Sequence, residues 1–247
     1  MADASRARVV VGGQASGSPR AAFYDFDGTL ASGNVVSRYA WVARQHPSRL
    51  EAAWRYSEAL LGVPLWLLLD LCSRHLFNVV FFRLYRGLSR DWLKAQSTRL
   101  LEQRVRREEC RYARERVAMD RAAGFRTVLV TGGIDILLAP TAADLGFDDM
   151  LGNRLVFRDG IATGEIEPPL LAGEAKASAL REYAADHGLD MRDARAYSDS
   201  FSDLPMLRAV GTAIATNPDR RLRRFALSRG WPILDLQRSA RTQTEPA

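Results

Sequence analysis

Cysteine, histidine and lysine are scarce in this chain of 247 residues. The two cysteines, Cys72 and Cys110, lie far apart and form no CxxC motif or Cys/His cluster. They give no support for a disulfide framework or a zinc site, and they suit the reducing interior of a cytoplasmic protein. His46, His75 and His187 lie outside every motif described below, so we interpret them as structural or exposed.

The sequence also lacks an apolar run that could span a bilayer, which takes roughly 20 residues. Residues 59–82 contain two shorter apolar stretches, separated by Asp70, Arg74 and His75. A single span would bury these polar side chains in lipid, so packed helices are the leading interpretation. The alternative is an interfacial contact with an anionic membrane, with the arginines at the headgroups.

The two ends of the chain carry little apolar sequence. The longest apolar run in residues 1–19 is three valines, at positions 9–11, which is too short for a signal-peptide core. These residues predict a flexible leader. Residues 237–247 are polar and predict a disordered tail.

Positive charge is concentrated in one part of the chain. The formal net charge is +6, and between Arg38 and Arg126 there are 18 Arg/Lys and 9 Asp/Glu. Such a segment attracts anionic partners, among them a phosphorylated substrate, an anionic membrane or nucleic acid. We expect no nucleic-acid partner, because no recognised binding motif accompanies the arginines; a basic nucleic-acid-binding protein is the weakest alternative.

Apolar runs that end in polar residues predict strands at residues 21–25, 125–133, 194–198 and 212–215. Helices are predicted between and after the later strands, at residues 175–186, 204–209 and 220–228. This alternation is typical of an α/β fold with a Rossmann-like parallel sheet covered on both faces. Residues 153–166 predict a hairpin that turns at Asp159-Gly160.

A mostly helical run extends from about Val35 to Ala123 and is too long for one crossover between strands. It predicts a helical cap inserted between the first and second core strands. We expect residues 20–36 and 120–236 to form the catalytic core and residues 37–119 to form the cap.

Four polar features fall at strand ends or at the start of a helix: Asp25/Asp27, Thr131-Gly132-Gly133, Lys176, and Asp199/Asp203. Active sites of open parallel sheets gather beyond the carboxyl ends of the strands. Carboxylates grouped there need a cation, and hard oxygen ligands favour Mg²⁺. The lysine and the Gly-Gly amides suit a phosphate dianion, which a carboxylate can attack to give an aspartyl-phosphate.

Each feature also has a purely structural interpretation. Asp27-Gly28 is ordinary turn chemistry. The hydroxyl of Thr131 can be satisfied by the turn that follows it, and Lys176 can be a solvated helix lysine, as we expect for Lys94. Asp199 and Asp203 can cap the helix that begins at Leu204.

In combination, the motifs resemble those of the haloacid dehalogenase (HAD) superfamily. The stretch DFDGTL matches its DxDGT motif, and Thr131, Lys176 and SDSFSDLPML follow in the expected order. The resemblance covers about residues 21–236 and is strongest to the phosphoserine-phosphatase-like branch, subfamily IB, whose helical cap lies between the first two motifs.

The resemblance implies a role for each motif residue. Asp25 would be the nucleophile, and Asp27 would protonate the leaving oxygen and then activate water. Thr131, Gly132 and Lys176 would bind the phosphoryl group. The metal ligands would be Asp25, Asp27 through its backbone carbonyl, Asp199 and Asp203, and the metal would be Mg²⁺.

The sequence departs from phosphoserine phosphatases, which typically carry DxDST followed by a substrate-binding glutamate. Here Gly28 replaces the serine, the following residues 31–37 contain no acid, and Ser198 stands where glycine is usual. We therefore predict a Mg²⁺-dependent phosphomonoester hydrolase for a small phosphorylated metabolite or a lipid phosphate, with phosphoserine disfavoured. The alternative is a membrane-peripheral or partner-binding HAD-fold protein with little turnover.

Overall fold

The structure is a computed structural model that describes residues 20–72 and 74–241, without the side chains of residues 67 and 69–75. The predicted leader therefore lies outside the described residues, as do residues 242–247 of the predicted tail. The remaining tail residues are described: Ala240 is buried, and its carbonyl accepts a hydrogen bond of 3.3 Å from Arg116.

A parallel sheet forms the centre of the molecule. Its strands are β1 (Arg20–Asp25), β2 (Phe125–Ile134), β3 (Asp149–Asn153), β6 (Arg195–Ser198), β7 (Thr212–Thr216) and β8 (Ile233–Leu234). They lie in the order β3-β2-β1-β6-β7-β8, and every neighbouring pair is parallel. The predicted α/β fold is confirmed.

A separate antiparallel hairpin follows β3. It consists of β4 (Leu155–Arg158) and β5 (Ile161–Ile166). Asp159 and Gly160 have φ of 50° and 78°, the left-handed conformation that a two-residue hairpin turn needs at both positions. The predicted turn is therefore confirmed.

Helices between β1 and β2 form the predicted cap region. They are α1 (Val35–Arg44), α2 (Arg49–Leu61), α3 (Val63–Cys72), α4 (Arg74–Phe81), α5 (Arg90–Leu100), α6 (Arg106–Glu108) and α7 (Ala113–Ala122). Three of them begin at a polar side chain that accepts a hydrogen bond from the first turn: Asn34 at α1, Ser48 at α2 and Ser89 at α5.

Helices also follow the later strands. They are α8 (Asp135–Asp144), α9 (Glu174–His187), α10 (Leu204–Arg208) and α11 (Arg220–Arg229). Successive residues of β1 point to opposite faces of the sheet and enter two different apolar clusters. Ala21 and Phe23 belong to one, and Ala22 and Tyr24 belong to the other, which continues into the cap. Both faces of the sheet are therefore covered.

Helix α7 is bonded to the sheet through a buried carboxylate. The buried carboxylate of Asp120 accepts hydrogen bonds of 2.6 Å from the hydroxyls of Tyr24 and Tyr197. It also accepts bonds of 2.8 Å from Arg116 and Arg195. We propose on this basis that α7 belongs to the core, which would end the cap before residue 113.

The apolar stretch of the cap is partly packed and partly exposed. Ala59, Trp66, Phe77 and Phe81 are buried, whereas six side chains are more than one third exposed: Leu60, Leu61, Leu65, Leu68, Leu76 and Val79. Across residues 20–72 and 74–241, no helix has the length and apolar character needed to cross a membrane.

Candidate active site

The carboxyl end of β1 places Asp25 at the bottom of a cavity between core and cap. Its side chain is buried, and the hydroxyl of Thr29 lies 3.3 Å from its Oδ2. The same hydroxyl lies 3.3 Å from Oδ1 of Asp199 and accepts a hydrogen bond of 3.0 Å from the Asp199 backbone N–H. Thr29 thus connects the ends of β1 and β6.

A tight loop follows Asp25 and fixes the motif residues. Gly28 has φ of +82°, and its N–H donates a 2.8 Å hydrogen bond to the carbonyl of Ala31. The amide of Asn217 donates to the carbonyls of Gly28 and Thr29, at 3.1 and 2.9 Å. A Cβ at position 28 would collide with the carboxylate of Asp199. Glycine therefore suits this backbone conformation, and a side chain here would have to displace the carboxylate of Asp199.

Lys176 lies in the first turn of α9 and points into the cavity. Its Nζ donates to Oδ1 of Asp25 at 2.6 Å and to Oδ2 of Asp203 at 2.8 Å. Burial lowers the pKa of Lys176, but the charges of Asp203 and Asp25 outweigh it and raise that pKa above its ordinary value. Lys176 is therefore a buried cation and differs from the exposed Lys94.

Asp203 occupies the N-cap position of α10 but makes no side-chain capping bond. Its carboxylate instead accepts hydrogen bonds from Lys176 and, at 2.9 Å, from the hydroxyl of Ser198. The capping interpretation is therefore wrong for this side chain, which is directed toward the cavity.

Strand β2 contributes the segment Thr131-Gly132-Gly133 to the site. Gly132 lines the cavity, and the side-chain amide of Asn153 donates a 2.8 Å hydrogen bond to its carbonyl. Thr131 is fully buried beside it, and its hydroxyl oxygen accepts a 2.9 Å bond from the Gly133 N–H. The turn interpretation therefore accounts for the hydrogen bond that this hydroxyl accepts.

Asp27 faces the cap, where it meets a residue that the sequence did not point to. Arg38 of α1 is buried and forms an ion pair with the carboxylate of Asp27. Its guanidinium lies over the ring of Phe26, at 4.5 Å from the centroid, and 3.8 Å from Glu108. Burial lowers the pKa of Arg38 to about 10, which leaves the group charged at neutral pH.

Burial and mutual repulsion make the carboxylates of this site costly to ionise. Burial raises the pKa of Asp199 to about 7, with further contributions from the charges of Asp25 and Asp203. Burial also raises the pKa of Asp25, and the charge of Lys176 opposes this shift. The single charge of Lys176 therefore does not neutralise the carboxylates of Asp25, Asp199 and Asp203. Such an excess of negative charge attracts a further cation.

The carboxylate oxygens of this site are of the ligand type that Mg²⁺ prefers. Within the described part of the chain, no group of three or more Asp, Glu, His or Cys side chains is arranged to hold a metal ion. Mg²⁺ does not require such a cage, since it keeps several waters and is held by one or two carboxylates together with substrate phosphate. Asp25 and Asp199, on either side of Thr29, provide two carboxylates of this type.

These groups line one cavity of about 210 Å³. It brings together six of the seven predicted site residues: Asp25, Asp27, Gly132, Lys176, Asp199 and Asp203. The seventh, Thr131, is buried next to Gly132 in the chain and does not line the cavity. The cap closes the other side of the cavity with Asn34, Val35, Phe77 and the buried Asn78. Asn78 and Arg38 could not be picked out in the sequence, because their position depends on how the cap helices fold over the core.

Comparison with known proteins agrees with this architecture. Residues 22–208 match the family model of haloacid dehalogenase-like hydrolases. The chain therefore belongs to the haloacid dehalogenase-like hydrolase family. Within that family it is similar to the phosphoserine-phosphatase-like branch.

Two curated relatives illustrate the similarity. The inhibition of morphological differentiation protein of Streptomyces azureus is 48% identical over 121 residues, which are 48% of this chain and 43% of the relative. A phosphoserine phosphatase of Mycobacterium tuberculosis is 44% identical over 124 residues, 50% of this chain and 40% of the relative. Each match therefore spans less than half of the relative's length.

A solved structure shares the fold over a larger part of the chain. The phospho-aspartyl intermediate analogue of a phosphoserine phosphatase aligns with 89% of this chain and 94% of its own, with a TM-score of 0.62 and 22% identity. This likeness extends across both the sheet and the inserted helices.

Proposed function

We propose that the protein is a Mg²⁺-dependent phosphomonoester hydrolase that acts through an aspartyl-phosphate intermediate. The observation that carries the proposal is the position of Lys176, whose Nζ lies 2.6 Å from Asp25 and 2.8 Å from Asp203 at the end of the sheet. A buried cation next to a carboxylate at a strand end is a suitable place for a phosphoryl group beside its nucleophile.

In the first step, Oδ of Asp25 would attack phosphorus and displace the alcohol oxygen. Lys176 would bind the phosphoryl oxygens and reduce the repulsion between them and the Asp25 carboxylate. The Gly132 amide and the hydroxyl of Thr131 would bind the same group from the neighbouring strand.

Asp27 would manage the proton in both steps. Asp27 would enter the first step protonated and give its proton to the leaving oxygen; the carboxylate that results, paired with Arg38, would then take a proton from the water that hydrolyses the aspartyl-phosphate. Its contact with Arg38 fixes the carboxylate at the boundary between core and cap, where the leaving group would emerge.

Mg²⁺ would be held by the carboxylates of Asp25 and Asp199 and the backbone carbonyl of Asp27, with Asp203 acting through water. When bound, it would supply charge stabilisation for the phosphoryl oxygens. Asp203 would be the least direct of these ligands, because its Oδ2 already accepts hydrogen bonds from Lys176 and Ser198.

The proposal is tested by hydrolysis of p-nitrophenyl phosphate with Mg²⁺, with and without a chelator. Asp25→Asn should lower kcat by several orders of magnitude, since it removes the nucleophile. Asp193→Asn, at an exposed position, is the matched control and should leave kcat unchanged. Full activity of Asp25→Asn, or of the wild type in chelator, would contradict the proposal.

The exposed leucines of α2 to α4 favour one further property, a peripheral contact with an anionic membrane. Leu61 and Leu68 are 80% and 58% exposed, and the cap that carries them has an excess of arginine. Co-sedimentation with vesicles that contain an anionic lipid tests it. Binding should weaken in Leu61→Ser/Leu68→Ser and in high salt; equal binding to neutral vesicles would point to apolar adsorption alone.

A further inference from the structure

A second cavity opens next to the proposed phosphate site. Its volume is about 380 Å³, and Asn34, Val35 and Phe77 line both cavities. Helices α1 to α4 form its walls, so it lies entirely in the cap. The two cavities are therefore neighbours, and a substrate whose phosphate lies in the first can extend toward the second.

The walls of this second cavity are mainly apolar. The apolar residues that line it include Val36, Ala59, Leu60, Val63 and Trp66. Two polar atoms of its lining residues have partners within the cap: Oδ1 of Asn34 accepts a 2.9 Å hydrogen bond from the Ser37 N–H, and Nε1 of Trp66 donates to the Ala59 carbonyl at 3.2 Å.

We propose that this cavity binds the apolar part of the substrate, and that the protein prefers phosphomonoesters with a single hydrocarbon chain or ring system. The inference rests on the proposed phosphatase function and specifies its substrate class. A cavity of about 150 Å³ lined by apolar side chains holds benzene, so the present one accommodates a group on the order of ten carbons.

The same surroundings oppose charged leaving groups. The ammonium and carboxylate of phosphoserine would lose their hydration among Val35, Val63 and Phe77, with no charged side chain lining this cavity to replace it. The structure thereby provides a reason to disfavour phosphoserine that is independent of the motif residues.

A series of soluble n-alkyl phosphates, from ethyl to octyl, tests the proposal below the critical micelle concentration. Each methylene that enters the cavity should raise kcat/KM roughly fourfold, until the cavity is filled. A flat series would overturn the inference and leave the proposed function intact. Absence of hydrolysis for every phosphate would contradict the proposed function instead.

Binding provides a second measurement that does not depend on turnover. Octylphosphonate should bind at least tenfold more tightly than ethylphosphonate in titration calorimetry, because only its chain reaches the cavity. Equal affinities would overturn the inference even if the protein had no phosphatase activity.

Variants that fill the cavity make the test specific. Val36→Phe and Val63→Phe should lower the octyl-to-ethyl ratio of kcat/KM toward one, a quantity that does not depend on the fraction of folded enzyme. Leu227→Phe, at an exposed position of α11 that lines neither cavity, should keep the wild-type ratio. An unchanged ratio in both filled variants would overturn the inference.

Lysophosphatidate extends the test to a lipid with the same chemistry. Monomeric octyl phosphate and lysophosphatidate should both be preferred over ethyl phosphate. A preference that appears only above the critical micelle concentration, or only on vesicles, would overturn the inference in favour of adsorption to a surface.

Discussion

The guanidinium of Arg38, on the first cap helix, forms an ion pair with the carboxylate of Asp27 in the loop after the first strand. A cap residue thus holds the side chain that we propose as the general acid. The contact also places a buried positive charge at the boundary where the leaving group would emerge.

This pair predicts a dependence on the leaving group. Arg38→Met should lower kcat for an alkyl phosphate by roughly 10- to 100-fold, within the range of general acid–base contributions. It should affect p-nitrophenyl phosphate much less, because nitrophenolate leaves with little protonation. Steady-state kinetics with both substrates measure the difference, and Arg44→Met on the same helix is the control. An equal loss for both substrates would contradict a role of Arg38 in protonation of the leaving group.

The position of Gly28 predicts that an added side chain affects both the stability of the backbone and the activity of the site. Gly28→Ala should lose activity and stability, because it places a Cβ both at φ of +82° and against Asp199. Gly160→Ala is a matched control: φ is +78°, and no atom lies within 4 Å of the added Cβ. The control should cost about 1–2 kcal/mol in urea unfolding and keep full activity. Similar losses in both variants would mean that the Asp199 contact has no effect.

The two lysines of the chain, one buried in the site and one exposed, allow a direct comparison of the same substitution. Lys176→Met should abolish measurable turnover and lower the free energy of unfolding by roughly 3–5 kcal/mol, since Asp25 and Asp203 lose a buried partner. Lys94→Met removes an exposed lysine and should leave both quantities unchanged. Phosphatase assays and urea denaturation measure them. Activity in Lys176→Met above a tenth of the wild type would contradict the role given to Lys176.

Mg²⁺ should act on stability as well as on turnover. Without metal, Asp199→Asn should be at least as stable as the wild type, because the buried charge of Asp199 is unfavourable beside Asp25 and Asp203. With Mg²⁺ at about 100 times its Kd, the wild type should gain about 2.7 kcal/mol and the variant much less. Thermal melts with and without Mg²⁺ measure this. An equal gain in Asp199→Asn would place the metal elsewhere.

Two acidic residues outside the cavity should differ in their effect on stability. Asp120→Asn should cost roughly 3–5 kcal/mol, because this fully buried carboxylate is bonded to Arg116, Arg195 and two tyrosines. Asp144→Asn should cost about 1 kcal/mol or less, since its partners Arg106 and Arg114 are about half exposed. Urea denaturation compares them, and equal costs would contradict a structural role for the Asp120 network.

Much of the fold was predictable because local signals agreed with it. The strands that carry Asp25 and Thr131 are apolar runs, and the hairpin turn at Asp159-Gly160 has a composition that its positive φ angles require. The edge strand β3 was not predicted, because its sequence Asp-Met-Leu-Gly-Asn is rich in residues that strands disfavour. Helix α8 was missed as well, and it contains Pro140.

The site was predictable only on its core side. Motif residues follow strands, so the order of parallel strands brings them together at one edge. Arg38, Asn78 and the apolar cavity come from amphipathic cap helices, whose sequence indicates helix but not which residues face the core. The interpretation of Gly28 also differs between sequence and structure. In the sequence it is a departure from phosphoserine phosphatases, whereas in the structure it fits a positive φ angle and the nearby carboxylate of Asp199.

The residues that line the apolar cavity all fall between positions 34 and 77, in one continuous segment of the chain. The proposed nucleophile, its lysine and its metal ligands all lie outside that segment. Substitutions within a single stretch of about forty residues can therefore change the apolar cavity without altering the proposed nucleophile, its lysine or the metal ligands, provided that Arg38, which contacts Asp27, is kept. A chimera that exchanges this segment with that of a relative should carry the relative's substrate preference with it.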